Sequence, residues 1–171
     1  MVLPTPTARL RFREMTRDDQ ALMEELLGDP DVMRYYPAPK TSEQVERWIE
    51  STLRHYSEHG YALWVLERLE DGAFIGECGL IWQTVEGERM LEVGYHLLPR
   101  YQGKGYATEA ARACAEFASN QLGVTHLIAM INPQNEPSRR VAERIGMGIE
   151  KTVDVPDGRE VLIYGRDLAS L

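Results

Sequence analysis

The chain has 171 residues, 43% of them hydrophobic, and a formal net charge of −8 at pH 7. That length suits one domain, 1–171, with a sizeable core, and the acidic balance argues against a nucleic-acid surface while suiting a cationic acceptor. No apolar run reaches the roughly 18 residues of a membrane span. The segment Met1-Val2-Leu3-Pro4-Thr5-Pro6 lacks the charged start and apolar centre of a secretion signal, so a cytoplasmic protein without membrane contact is expected. Cys78 and Cys114 show neither metal nor disulfide spacing and read as buried thiols.

Arg9 to Glu14 alternates Leu10 and Phe12 with charged residues, the pattern of a half-exposed first strand. Thr16 and Asp19 make a capping-box variant ahead of Leu22, Met23, Leu26 and Leu27, whose helical spacing runs to Gly28. Asp29-Pro30 breaks that helix. Met33 to Pro39 is a proline-bounded loop, after which Thr41 or Ser42 caps a second helix striped by Val45, Trp48, Ile49 and Leu53 and ended by Gly60. From Tyr61 the period falls to two. Tyr61 to Glu67, Ala73 to Gln83 and Arg89 to Leu98 read as an antiparallel meander turning at Glu70-Asp71-Gly72 and Glu86-Gly87-Glu88.

The last of these strands runs into Leu97-Leu98-Pro99-Arg100-Tyr101-Gln102-Gly103-Lys104-Gly105-Tyr106-Ala107, a turn with two glycines that opens a helix. Glycine takes positive φ without steric cost, so backbone N–H groups there can converge on one anion, aided by the unpaired donors and positive dipole end of the helix. The turn reads as a phosphate cradle, with Arg100 and Lys104 adding charge from its rim. No Ser or Thr follows a Gly-Lys pair, which excludes the P-loop pattern, and Thr108 stands where a dinucleotide fingerprint has its third glycine.

The helix beyond carries Ala107, Ala110, Ala111, Cys114, Phe117, Ala118 and Leu122 on one face, with Gly123 as its expected C′ residue. Leu127 to Ile131, with helices on either side in sequence, reads as a buried parallel strand. A fourth helix follows from about Glu136 to Ile145 and stops at Gly146. Asn135 or Glu136 is its N-cap, Pro137 sits in its first turn and Ser138 bonds the cap. The same residues place an amide and a hydroxyl at the carboxyl end of the sheet, where α/β ligands sit. Met147 to Val153 and Glu160 to Arg166 close the chain as strands around Pro156-Asp157-Gly158.

Arg100, Gly103 and Gly105 fit Arg/Gln-x-x-Gly-x-Gly/Ala position for position, which resembles the pyrophosphate-binding motif of the GNAT acetyltransferases. Arg9-Leu10-Arg11-Phe12-Arg13, Glu92-Val93-Gly94-Tyr95, the Asn135 to Met147 segment and Tyr164 extend the likeness over nearly the whole chain, closest to the RimJ/RimL-type branch. The resemblance implies an α/β fold, a mixed and largely antiparallel sheet flanked by helices around a central acetyl-CoA cleft. It implies direct acetyl transfer to a primary amine, with a protein or peptide N-terminus as the leading acceptor. A polyamine, amino sugar or antibiotic amine is the alternative acceptor, and a non-catalytic acyl-CoA sensor is the reading from another class. Monomer and homodimer both stay open, and no metal is implied.

The resemblance further implies cofactor contacts from Leu97, Leu98, Arg100, Gln102, Gly103, Lys104, Gly105, Tyr106, Ala107, Asn135 and Ser138. In it, backbone groups of the strand ending at Leu97 and Leu98 pair with the pantetheine arm, to which Asn135 also bonds. An amine must shed its ammonium proton before attack. Glu92 is the first candidate base, or else a structural carboxylate satisfied by backbone or arginine. Glu160, four residues before Tyr164, is the second, or is simply solvated beside Arg159. His96 is the third, since an imidazole titrates near neutral pH. Ser138 takes the position of the hydroxyl that stabilises the departing thiolate, with helix capping as its other reading. Acceptor specificity is expected from Met33 to Pro39, where Tyr35 and Tyr36 wall a pocket or pack on Trp48, and from Thr152 to Arg159.

Overall fold

The computed structural model describes residues 2–168; Met1 of the N-terminal segment and residues 169–171 of the expected 1–171 domain lie outside the described residues. Strands β2 (Leu63–Arg68), β3 (Phe74–Val85) and β4 (Glu88–Leu97) form the expected antiparallel meander, and β1 (Leu10–Glu14) adds to its edge antiparallel to β2. β5 (His126–Ile131) joins β4 in parallel, and β6 (Gly148–Asp154) and β7 (Glu160–Asp167) complete one sheet of order β1-β2-β3-β4-β5-β7-β6. The helices are α1 (Gln20–Leu27), α2 (Ser42–His59), α3 (Tyr106–Asn120) and α4 (Glu136–Arg144). None of the described helices is long and apolar enough to cross a membrane.

Local chemistry sets these boundaries. Thr16 and Asp19 form a reciprocal capping box on a short 3-10 turn that leads into α1, and Asp19 also grips the Arg13 guanidinium at 2.7 and 2.9 Å. Thr41 caps α2 in the same way with Gln44, and Gly60 ends that helix at φ +82°. Val85 pairs with Glu88 around Glu86 and Gly87, whose φ values of +50° and +80° are those of a type I′ hairpin. So tight a turn carries β3 to Val85, two residues past the expected Gln83. At the far end α3 runs to Asn120, and the chain leaves it at the expected Gly123, whose φ of +62° lets the Val124 N–H close back onto the Ala118 carbonyl at 3.0 Å.

Two contacts assign the faces of the sheet. The Cys78 thiol on β3 meets the Cys114 thiol of α3 at 3.6 Å, whereas Glu77 accepts a hydrogen bond from Trp48 of α2 at 2.9 Å. Alternation along the strand therefore turns Cys78 to the α3 face and Glu77 to the α2 face. Through the pairings Glu77↔His96 and Cys78↔Tyr95, β4 presents Glu92, Gly94 and His96 to the α2 side and Val93, Tyr95 and Leu97 to the α3 side. On the α3 side, Ala110, Ala111, Cys114 and Ala118 are fully buried, and their small side chains let the helix lie close to β3 and β4. Phe117 meets Trp64 edge-on at 5.2 Å in the centre of this core.

β4 and β5 share a single bridge, Glu92↔Ile128. Beyond it the strands part. Val93 to Leu97 on one side and Ala129 to Ile131 on the other line a cavity of about 900 Å³.

Candidate active site

Glu92 stands at the parting of the strands. One carboxylate oxygen accepts from Gln83 Nε2 at 3.1 Å, and the other accepts from the Met130 backbone N–H at 3.2 Å. An unbroken parallel ladder would give that amide to β4 backbone; here a side chain takes it. Burial raises the Glu92 carboxyl to about 7, against the opposing pull of Gln83, the Met130 N–H and His96. A carboxyl that titrates near neutral pH suits proton transfer.

The edge that β4 turns to the cavity differs in one respect from the expectation. Leu98 donates its N–H to the Ile75 carbonyl of β3 at 3.0 Å and is fully buried. Alternation of an antiparallel ladder then directs the backbone groups of Leu97 and Tyr95 away from β3. Gln102 Nε2 already occupies the Leu97 carbonyl at 3.0 Å. Leu98 therefore offers nothing to a ligand, and the accessible backbone lies at Tyr95 and at the Leu97 N–H.

Gly103 and Gly105 have φ values of +73° and +84°, and Gly105 is the N-cap of α3. Both line the cavity, as do Gln102, Tyr106, Ala107 and Thr108. The backbone N–H groups from Gly103 to Thr108 have no acceptor among the described residues, and the buried Thr108 hydroxyl is likewise without a partner. These are the donors that a pyrophosphate needs. Arg9 braces the turn from behind, donating to the Lys104 carbonyl at 2.9 Å, stacking on Tyr106 at 4.3 Å and pairing with Glu109 at 2.7 Å. The rim charges are placed otherwise than expected. Arg100 pairs with Glu25 of α1 at 2.9 Å over the Tyr101 ring, and neither it nor Lys104 lines the cavity.

Across the cavity the Asn135 side chain, and not that of Ser138, caps α4, because its Oδ1 accepts the Ser138 N–H at 3.2 Å. The Ser138 hydroxyl is thereby free to donate to the Tyr95 hydroxyl at 3.1 Å, while Tyr95 donates to the Ser138 carbonyl at 2.9 Å. Burial keeps the Tyr95 phenol well above its ordinary range, so it stays protonated. Tyr95 and Glu92 thus lie on opposite faces of β4 yet line one cavity, because the sheet is open beside them.

The acetyltransferase (GNAT) domain family matches residues 9–148. The chain belongs to this family. Uncharacterized protein YkkB of Bacillus subtilis is 41% identical over 148 residues, 86% of each chain. The spermidine N(1)-acetyltransferase of Escherichia coli K12 is 26% identical over 144 residues, 82% of this chain and 74% of its own. Among solved structures, an acetyltransferase from Agrobacterium tumefaciens superposes with a TM-score of 0.84 at 25% identity, covering 97% of this chain and 95% of its own. A ribosomal L7/L12 α-N-protein acetyltransferase in complex with coenzyme A, at 16% identity and TM-score 0.75 over 96% and 97% of the chains, shares the fold. As a GNAT enzyme the chain is an N-acetyltransferase with acetyl-CoA as its donor, and the two positive-φ glycines with their free amides fit that donor's pyrophosphate.

The GNAT cleft gathers Glu92, His96, Leu97, Gln102, Gly103, Gly105, Tyr106, Ala107, Asn135 and Ser138 into one lining. Glu160 is left out: it is exposed at the start of β7, while its neighbours Arg159 and Val161 line the cavity. The two variable segments do converge, since Tyr35, Tyr36, Val155 and Arg159 share the lining and Arg159 donates to the Tyr35 carbonyl at 3.2 Å. Reading the sequence assigns no site role to Tyr95, Thr108 or Trp48, all of which line the cavity. Tyr95 stands beside Gly94 in a segment that already carries the family likeness, and that was its one signal. Because Asn135 supplies the cap, Ser138→Ala should cost stability only through the lost hydrogen bond to Tyr95, about 1 kcal/mol or less. It should lower kcat by about tenfold, with Tyr95→Phe lowering it further, since a hydrogen bond to a forming thiolate is strongest in the transition state. A melting loss with unchanged kcat would return Ser138 to a structural role.

Proposed function

We propose that this GNAT enzyme acetylates the α-amine of a peptide or protein N-terminus, with Glu92 taking the ammonium proton and Ser138 with Tyr95 facing the departing thiolate. Acetyl-CoA supplies an acyl carbon activated as a thioester; the residues bind, orient and move protons. One observation carries the reading: a carboxyl held at about 7 at the parting of β4 and β5, in the cavity that also holds the cradle. An α-amine, with an ordinary pKa of about 8, gives its proton to such a base at a cost of about 1 kcal/mol. An alkyl amine of a polyamine, near 10.4 as in lysine, costs about 4 to 5 kcal/mol.

Charge supports the same choice. Arg34, Arg140, Arg144 and Arg159 line the cavity against Asp31 and Glu92, a balance that does not favour a polycation. The likeness to the RimJ/RimL-type branch points the same way, whereas the spermidine-acetylating relative keeps the small-molecule amine as the second reading. Glu160, exposed and outside the cavity lining, is given no part in this proton step.

Release of coenzyme A is measured with the full chain, acetyl-CoA and a panel of N-terminal peptides, spermidine and an aminoglycoside. The peptides should give the highest kcat/KM. Faster turnover of spermidine would overturn the acceptor class, and tight donor binding with no turnover of any amine would make the chain a sensor.

A further inference from the structure

An ammonium acceptor loses two protons on its way to an amide, and a single carboxylate at Glu92 can hold one of them. The face under α2 supplies a second set of groups. Glu77 is 0% exposed, a costly place for a carboxylate without partners. Trp48 Nε1 donates to its Oε1 at 2.9 Å. Its cross-strand neighbour His96 points Nδ1 at the same oxygen from 3.8 Å, and that buried Nδ1 has no hydrogen-bond partner among the described residues. On the opposite edge of the ring, His96 Nε2 lies 3.0 Å from the Tyr36 hydroxyl. Tyr36 and His96 line the same cavity as Glu92.

We propose that Tyr36, His96 and Glu77 form a proton relay that removes the second proton from the acceptor nitrogen. The relay rests on Glu92 as the first acceptor. As the amide forms, the N–H bond breaks and its electron pair stays on nitrogen. The Tyr36 oxygen gains that proton while its own passes to His96 Nε2, so the tyrosine ends as it began. The imidazolium then faces the Glu77 carboxylate, a pair of no net charge, until the proton leaves to solvent. Glu77 is the positioning residue: its carboxylate draws the proton of the neutral ring to Nδ1 and leaves Nε2 as the acceptor. The other charged groups around the relay are Glu92 on β4, Lys40 over the Trp48 ring at 4.9 Å and Arg159 over the Tyr36 ring at 5.4 Å. A tyrosine hydroxyl, with an ordinary pKa near 10, is protonated at neutral pH, and desolvation with the charges of Glu92 and Glu77 moves that of Tyr36 further up, so it remains a donor.

Steady-state rates and pH profiles of Tyr36→Phe, His96→Gln and Glu77→Gln are compared with wild type, using a peptide acceptor. Glutamine at 77 still accepts from Trp48. Each variant should lower kcat by about tenfold to a hundredfold with the KM for acetyl-CoA unchanged, as loss of one acid–base element does. The double variant Tyr36→Phe/Glu77→Gln should be no slower than the worse single, because both break one chain. Additive losses would overturn the relay. So would wild-type kcat and pH profile in Tyr36→Phe, which tests it even where Glu77→Gln fails to fold. That outcome beside an inactive Glu92→Gln leaves the proposed function standing, whereas a wild-type chain that turns over no amine overturns both.

Discussion

Glu92→Gln is expected to cut kcat/KM for an N-terminal amine by about a hundredfold or more and, in the same protein, to raise thermal stability above pH 7. Glutamine keeps the shape, still accepts the Met130 N–H, and can bond a turned Gln83 amide, but it accepts no proton. The stability gain follows from linkage. Because the folded carboxyl titrates at about 7 against an ordinary 4.5, the folded chain holds this proton more tightly than the unfolded one. Stability is therefore lost as pH rises from about 4.5 to about 7 and is level above that window. The full shift is worth about 3 kcal/mol at most, and less in practice because the carboxyl also lines an open cavity. Melting curves of the two proteins should coincide near pH 4.5 and separate by pH 8, with the variant higher. An acceptor amine of low pKa, already neutral at assay pH, should restore the rate of Glu92→Gln. Parallel melting curves and an unchanged pH–rate profile would remove Glu92 from the chemistry.

The second large effect lies in the cradle, where Gly103→Val and Gly105→Val should each reduce acetyl-CoA affinity by about a hundredfold or more in a protein that still folds. At φ of +73° and +84°, a branched side chain meets strain of about 1 to 3 kcal/mol, and relief of it turns the N–H groups out of convergence. The two sites differ in what a new side chain meets. Nothing lies within 4 Å of a Cβ at Gly103, so the cost of valine there is the backbone strain itself. At Gly105 the first neighbour is the flexible end of Arg9, 3.3 Å away, and moving it also disturbs the brace behind the turn. Calorimetric titration with coenzyme A reads the loss, and a urea melt confirms the fold. Near-wild-type affinity in a folded Gly103→Val would sink the assignment of the donor site.

The parts of this site that were legible in sequence are those whose chemistry is local. Gly103 and Gly105 announce themselves because positive φ is a backbone demand only glycine meets cheaply, and the caps at Thr16, Thr41 and Asn135 because one side chain satisfies an amide two or three residues on. Arg100 and Lys104 show the limit of that locality. Their charges sit in the right stretch of chain, yet Glu25, 75 residues away from Arg100, claims its guanidinium. Glu77 and Tyr95 are illegible for the same reason. Each reads as an ordinary strand residue until the register of β3 with β4 and the packing of α2 and α4 set a partner opposite it. Nor does Cys78 betray in its spacing that Cys114 lies against it.

The hydrogen bond from the Met130 amide to Glu92 ties the proposed base to the seam of the sheet. An ionised carboxylate is a stronger acceptor than a neutral acid, so the Met130 link between β4 and β5 is tighter when Glu92 is ionised and weaker when it is protonated. Protonation of the proposed base and the strength of this link across the seam therefore vary together.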